Sequence, residues 1–331
     1  MIQYNRQPMR YKDLNRYDIT PDDEHYSDAW RRVLARLGDY TAIIVQSLNM
    51  RPSGIGLLAQ TRDHVLVRIS TPGEHYMLRM APEGHLAREV YFGRALAAQQ
   101  LPATRIIFHD LSCTLVPFTY MLESYVGGTM ASQLDQPHLL RAVARQVGQT
   151  LRRVHRIEAR GWGAPDAAGR WLTADWSAVL TQLQTILAPE PADRLVFGTK
   201  GQAAITALRE YLAPGCKTPY LMHGAVGPYM ARCTIGDHVQ LAALIDPGPI
   251  IGGDGLFDLA AGTDPAYPEP WRSGLIEGYT AMIPLNAAEK ERLRHLQALI
   301  WYWQACRHYM RAEPYQATRD QALVLLQAWM Q

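Results

Sequence analysis

The sequence predicts an α+β chain in which a small antiparallel-sheet unit precedes a larger helical one. Three observations point there. Residues 40–125 alternate short apolar, β-branched runs with turn signals, and residues beyond Gly127-Gly128 carry apolar stripes at helical spacing. The chain also has 331 residues, 48% of them hydrophobic, which is enough to bury a core in each part. The boundary falls near 125–128, which divides the chain into an arm and helix over 1–39, a strand-rich unit over 40–125 and a helical unit over 126–331.

Residues 1–20 are polar and aromatic without a period and are expected to form an arm laid on the surface. Pro21-Asp22-Asp23-Glu24 opens a helix to about Leu37, stopped by Gly38. Ala42-Ile43-Ile44-Val45 is a short apolar run expected to be a strand, and 64–70 and 75–80 are two more, joined across Thr71-Pro72-Gly73-Glu74 as a hairpin. In 83–100, Leu86, Val90 and Ala97 fall near helical spacing, and 105–112 and 118–125 return to strand character. Past the glycines, Leu140, Val143, Val147, Leu151 and Val154 form one stripe of a helix over 139–160. A Gly-rich connector (161–171), helices near 174–188 and 200–212, and a strand–loop–strand stretch (218–246) follow. The end of the chain (287–330) is helical, with Leu293, Leu296, Ile300 and Trp303 on one face.

Composition excludes several classes. A formal net charge of +2 with 19% charged residues offers no basic stripe, so a nucleic-acid partner is not expected. No run of 18 apolar residues exists, so no membrane span is expected. The polar N-terminus has no apolar core of a signal peptide. Cys113, Cys216, Cys233 and Cys306 are not spaced as a zinc or redox pair and suit a reducing cytoplasm. No G-x-S-x-G nucleophile elbow is present, and Gly252-Gly253-Asp254-Gly255 does not open a dinucleotide-binding unit.

Short motifs carry more than composition. His75–Met80 (HYMLRM) presents Arg79, Glu89 follows inside a helix, and FTYMLESYVGGTM (118–130) ends the strand-rich unit. TLRRVHRIEARGWGAP, YLMHGAVGPYM and LAALIDPGPIIGGDGLFDLA come next, in that order. In this order the motifs resemble those of the aminoglycoside phosphotransferase family of kinase-like small-molecule phosphotransferases. The resemblance implies a protein-kinase-like bilobal fold, with 40–125 as the nucleotide-binding lobe and 126–331 as the lobe of the catalytic loop and acceptor pocket. ATP or GTP with Mg²⁺ would lie between the lobes, and a small-molecule hydroxyl would be the acceptor. Arg79 and Glu89 would form the ion pair that orients the phosphates, and backbone groups around Glu123, Ser124 and Tyr125 would face the base. His223 would prop the catalytic loop and Asp246 would be the magnesium ligand. Asp254 and Asp258 would tie the loop to a helix.

The chain departs from that pattern at two positions. Ala225 stands where the family has its catalytic Asp, and Met230 stands where it has a metal-binding side chain. An alanine cannot accept a proton, and a thioether is a poor ligand for a hard cation. His223 is the nearest candidate replacement base. Three readings follow: a natural pseudokinase that binds without transfer, an active enzyme with a rearranged site, or an engineered or variant replacement of Asp by Ala225 in an otherwise active enzyme. A pure protein-interaction role competes with all three. The phosphate cover is weak too, because Gly54-Ile55-Gly56 is a lone GxG and the turn at Thr61-Arg62-Asp63 has no glycine. On the acceptor side, Asp264, Glu269 and Glu277 are balanced by Arg272, while Trp301, Tyr302, Trp303, His308 and Arg311 add a mixed aromatic surface. A neutral or partly apolar acceptor is expected over a polycation. Nothing in the sequence sets the oligomeric state.

Overall fold

The computed structural model describes residues 10–15, 27–60 and 64–331. The expected opening of the first helix at 21–24 and the turn at 61–63 lie outside them, as does most of the arm. The described chain forms two compact units, one of residues 1–94, 104–126 and 166–169, the other of 95–103, 127–165 and 170–331.

The first unit holds helices α1 (Asp28–Ala35) and α2 (Leu37–Ser47), strands β1 (Gly54–Gln60), β2 (Val65–Thr71) and β3 (Glu74–Ala81), and most of α3 (Ala87–Ala98). Strands β4 (Ile106–Asp110) and β5 (Thr119–Ser124) complete a five-stranded sheet, entirely antiparallel, ordered β1-β2-β3-β5-β4. Val65, Val67 and Ile69 of β2 are buried at every second position, the period of a strand with one face on a core. They pack with Trp30, Leu37 and Ile44 of the two leading helices and with Phe118 and Tyr120.

Two expectations are corrected here. Ala42–Val45 is not a strand but part of α2, because Leu37, Thr41, Ile44 and Val45 are buried at spacings of four, three and one along a helix. Four apolar residues in a row do not distinguish the two periods. Gly38 does not stop a helix either; it lies buried within α2 and donates its N–H to Asn15 Oδ1 at 2.7 Å. Gly54-Ile55-Gly56 opens the edge strand β1, paired with Ser70, Ile69 and Arg68.

The second unit contains seven α-helices and two small sheets among its described residues. Strand β6 (Thr129–Met130), helix α4 (Pro137–Val154), strands β7 (Trp162–Pro165) and β8 (Trp171–Thr173), and helices α5 (Trp176–Leu187) and α6 (Ala192–Leu212) come first. Strands β9 (Tyr220–Leu221), β10 (Ala231–Ile235), β11 (Val239–Leu244) and β12 (Gly252–Gly253) follow, then α7 (Gly255–Gly262), α8 (Glu269–Thr280), α9 (Ala287–Met310) and α10 (Gln316–Met330). The sheets run β11-β10-β6 and β8-β7-β12-β9, so the connector expected at 161–171 is a strand pair. The α4 stripe is buried as its spacing requires. It meets α8 at a glycine face: a Cβ at Gly278 would overlap the Arg145 carbonyl, and one at Gly148 would overlap that of Leu275. Helices this close need the missing side chain. Trp176, Trp271, Tyr279, Tyr302 and Trp303 fill the interior.

Candidate functional site

In the first unit, β3 and β5 are neighbours, so Arg79 and Glu123 come from adjacent strands while Glu89 comes from α3. Arg79 Nε lies 3.2 Å from Glu89 Oε2 and 3.5 Å from Glu123 Oε1, with all three side chains at least nine-tenths buried. Glu123 Oε2 also accepts the Thr104 hydroxyl at 2.5 Å. The sequence pointed to Arg79 and Glu89; it offered no sign that the side chain of Glu123 joins them. Two carboxylates around one guanidinium suit the fork of Arg better than the point charge of Lys.

The expected base-facing backbone is partly engaged. Ser124 donates its N–H to the Arg105 carbonyl at 2.8 Å, and Tyr125 donates its own to that of His75 at 3.0 Å. Glu123 pairs with Met77 on one side and Ile106 on the other.

The second unit builds the loop 222–230 between β9 and β10. Its organiser is Asp258, fully buried on α7. One carboxylate oxygen accepts the His223 N–H at 2.5 Å and the other accepts that of Gly224 at 2.7 Å. His155, at the end of α4, places Nε2 at 3.1 Å from Asp258 Oδ2 and Nδ1 at 2.9 Å from the Tyr279 hydroxyl. The consistent tautomer has Nε2–H donating to the carboxylate and Nδ1 accepting from Tyr279. Asp254 has a different role: it caps α7 through the Leu256 N–H at 3.0 Å and accepts from Arg292 Nε on α9 at 2.6 Å.

His223 is fully buried, and its Nε2 donates to the Ile245 carbonyl at 2.9 Å. Burial lowers its pKa and keeps the ring neutral, Asp258 opposing more weakly. A buried ring bonded to the strand that leads to Asp246 props the loop. Ile245 returns its N–H to the Met230 carbonyl at 2.9 Å, so the loop and the approach to Asp246 are joined twice.

Asp246 itself has φ of +55°, in the left-handed region. Asp and Asn adopt this region more readily than other side chains, and Asn49, Gln100, Cys113 and Ala312 share it. Gly224 has φ of +75°, and a Cβ there would overlap the Ile250 carbonyl. Ala225 is half-buried and presents only a methyl group. Met230 is fully buried, so its thioether fills an apolar gap. Among the described residues no three His, Cys, Asp or Glu side chains gather as a metal cage. A single hard carboxylate at 246 fits a Mg²⁺ held chiefly by phosphates, and residue 230 contributes no donor.

The aromatic acceptor surface expected from α9 is not there. Trp301, Tyr302 and Trp303 are buried, with Trp301 Nε1 donating to the Ala260 carbonyl. Asp264 is buried as well, accepting from Thr318 Oγ1 at 2.6 Å with His308 Nε2 at 3.4 Å, and Glu277 pairs with Arg141. What the sequence reading missed is Tyr229 and Tyr267, whose rings meet edge to face at 6.4 Å beside Gly227. Burial first, then Tyr229, raises the Tyr267 pKa well above its ordinary value, so the Tyr267 phenol stays neutral.

A family model described as the phosphotransferase enzyme family (APH) matches residues 57–296. The chain belongs to that family. Solved structures agree at the level of fold. A thermostable mutant of aminoglycoside phosphotransferase APH(4)-Ia, in ternary complex with ADP and hygromycin B, is 16% identical with a TM-score of 0.62 over 86% of this chain and 97% of the other. The GDP and kanamycin complex of APH(2")-IIIa is 11% identical, with a TM-score of 0.57 over 88% and 97%. Spectinomycin phosphotransferase APH(9)-Ia, in complex with ADP and spectinomycin, is 11% identical, with a TM-score of 0.53 over 87% and 93%. No curated protein matches the sequence. No helix among the described residues is long and apolar enough to cross a membrane.

Proposed function

We propose that this APH-family chain binds a purine nucleotide with Mg²⁺ and that its transfer of phosphate to a small-molecule hydroxyl is impaired. One observation carries the reading. The loop is held by Asp258 on two backbone N–H groups and by His223 on the Ile245 carbonyl, yet the residue it displays is Ala225. A framework built to position a carboxylate supports only a methyl group. Positioned general-base assistance is worth about 10²–10⁴-fold, or roughly 3–5 kcal/mol of barrier. His223 does not replace it, being buried and bonded through Nε2.

Support for a nucleotide comes from the relatives, which are complexes with ADP or GDP, and from the Arg79–Glu89 pair. Mg²⁺, when bound, neutralises charge on the phosphates. Asp246 is the residue that would hold it. With the Ser124 and Tyr125 amides engaged, the base would find its backbone partners in neighbouring carbonyls or from Val126 onward. The relatives are named with hygromycin B, spectinomycin and kanamycin. Here Asp264 and Glu277 are engaged within the protein, and Tyr229 and Tyr267 stand beside the loop, which favours a neutral, partly apolar hydroxyl compound over a polycation. The free state of all four cysteines agrees with a reducing cytoplasm.

A second reading is a non-catalytic ligand-binding or interaction module. Its support is that Arg79 is shared between two buried carboxylates, as a structural pair would be. Thermal unfolding with ATP or GTP, with and without Mg²⁺, tests for the nucleotide that the first reading requires, and a shift without turnover would fit a ligand-binding module as well. The first reading expects a nucleotide at 100 times its Kd to stabilise by about 2.7 kcal/mol. No shift with any purine nucleotide would leave the interaction module standing.

A further inference from the structure

The second unit carries a pocket of about 660 Å³ that the phosphotransferase reading does not use. It opens where the end of α4 meets the start of α7, the segment before β9 and the start of α9. Arg152, Arg156, Lys217 and Arg292 line it, against Asp254 and Glu289. The acids are largely committed elsewhere. Asp254 is paired with Arg292 at 2.6 Å, and Glu289 accepts the Asn286 N–H in the cap of α9. Burial holds the Cys216 thiol on the wall up to about 12, so it adds no negative charge. The lining therefore keeps an excess of positive charge from Arg152, Arg156 and Lys217, while Leu256, Tyr279 and Ile283 supply apolar wall.

One of these cations leads somewhere. The Arg152 guanidinium carbon sits 4.9 Å from the centroid of the Tyr279 ring, and Tyr279 and His155 are themselves part of the pocket wall. Tyr279 donates to His155 Nδ1, His155 Nε2–H donates to Asp258, and Asp258 receives the N–H groups of His223 and Gly224. A chain of hydrogen bonds thus runs from the pocket wall to the backbone that precedes Ala225. Bonds in such a chain polarise one another, and in a buried setting a change at one end is felt along it.

We propose that this pocket binds a small organic oxyanion, a phosphate or carboxylate on a partly apolar body, and that its occupancy tightens the loop at 223–224. Guanidinium forks grip oxyanions bidentately, the lysine adds a point charge, and the aromatic and aliphatic wall takes the body. The site is independent of whether phosphoryl transfer occurs, because none of its residues belongs to the loop 222–230 or to the first unit.

The test is titration calorimetry on the full chain with phenyl phosphate and, separately, benzoate, at constant ionic strength and with AMP-PNP and Mg²⁺ present in excess. Saturable one-to-one binding of either is expected, and the stronger of the two arms identifies the head group. The Arg156→Gln/Lys217→Gln double variant, altered only at exposed residues, should weaken binding at least tenfold. The control Lys290→Gln/Arg311→Gln, equal in charge and outside the lining, should leave it unchanged. Amide hydrogen exchange at His223 and Gly224 should slow at least threefold when the probe is bound. No saturable binding, equal loss in both double variants, or full affinity in the first would overturn the site. Binding without slowed exchange would overturn its link to the loop.

Discussion

Asp258 takes four polar partners' worth of geometry onto one buried carboxylate: two backbone N–H groups, an imidazole and, through that imidazole, a phenol. Hydrogen bonds to a charged group are worth about 1.5–3 kcal/mol each, and an unpaired donor left buried costs more than the bond it lost. Asp258→Asn is isosteric but turns one accepting oxygen into a donor facing a donor. It should destabilise the chain by about 3 kcal/mol in urea unfolding at unchanged m-value; a loss below about 0.5 kcal/mol would place the loop's support elsewhere. Arg79→Ala should cost about 3–5 kcal/mol, because it leaves Glu89 and Glu123 buried without their cation. Two histidines impose opposite pH dependences. The hydrogen bond to Asp264, aided by Glu313, raises the His308 pKa despite burial. Its contribution is fully present below pH about 6.5, the unfolded value, and is lost as pH rises through the raised folded value. Burial lowers the pKa of His223, so its neutral form favours folding above the unfolded value and that advantage falls away as pH drops below it. His308→Gln should therefore lose stability relative to the parent most at low pH, with the gap closing as pH rises; a gap that widens with pH would contradict the assignment. Asp258 and His155 were legible as residues of motifs, but the third member of the Arg79 cluster was not. Glu123 sits on a strand buried at five of its six positions, with no period to single it out, and only the pairing of β5 with β3 brings it to Arg79.

Helix α8, packed on α4, shows why an element can escape a sequence reading. Glu269–Thr280 contains Pro270, Gly274 and Gly278, residues of low helix propensity, and no helix is expected there from the sequence. In the fold those glycines are the contact surface: Gly274 faces the Arg141 carbonyl and Gly278 that of Arg145. Tertiary approach outweighs the roughly 1 kcal/mol that each glycine costs a helix. Gly278→Ala should accordingly destabilise by about 1–3 kcal/mol, the range of overpacking, although alanine is the better helix former. A rise in Tm would show that α8 does not approach α4 so closely. At the next helix, Asp254→Ala should cost about 1–2 kcal/mol from the lost cap, with a further loss from stranding Arg292. Helix α2 went unread for a simpler reason: Ala42–Val45 is four apolar residues without a break, and the buried positions that decide its period, Leu37 and Thr41, lie before the run.

Across the whole molecule, the order of short motifs carried the family, because each motif fixes a junction that the fold cannot omit: the β3 base, the helix α3 acid, the end of α4, the loop before β10 and the start of α7. The acceptor surface was not readable that way. Trp301, Tyr302 and Trp303 occupy three successive positions around α9, so they point in different directions, and only burial on all sides of that helix explains them. The same logic separates framework from chemistry at the loop. Its supports are directed at backbone groups, whereas Ala225 and the buried Met230 bring no oxygen donor of their own to the loop. The decisive measurement is ATP-dependent phosphorylation of a panel of small hydroxyl compounds by the chain and by its Ala225→Asp variant, side by side. The account expects no transfer above background from the first and a gain of about 10²–10⁴-fold from the second; brisk transfer by the chain with Ala225 in place would contradict it.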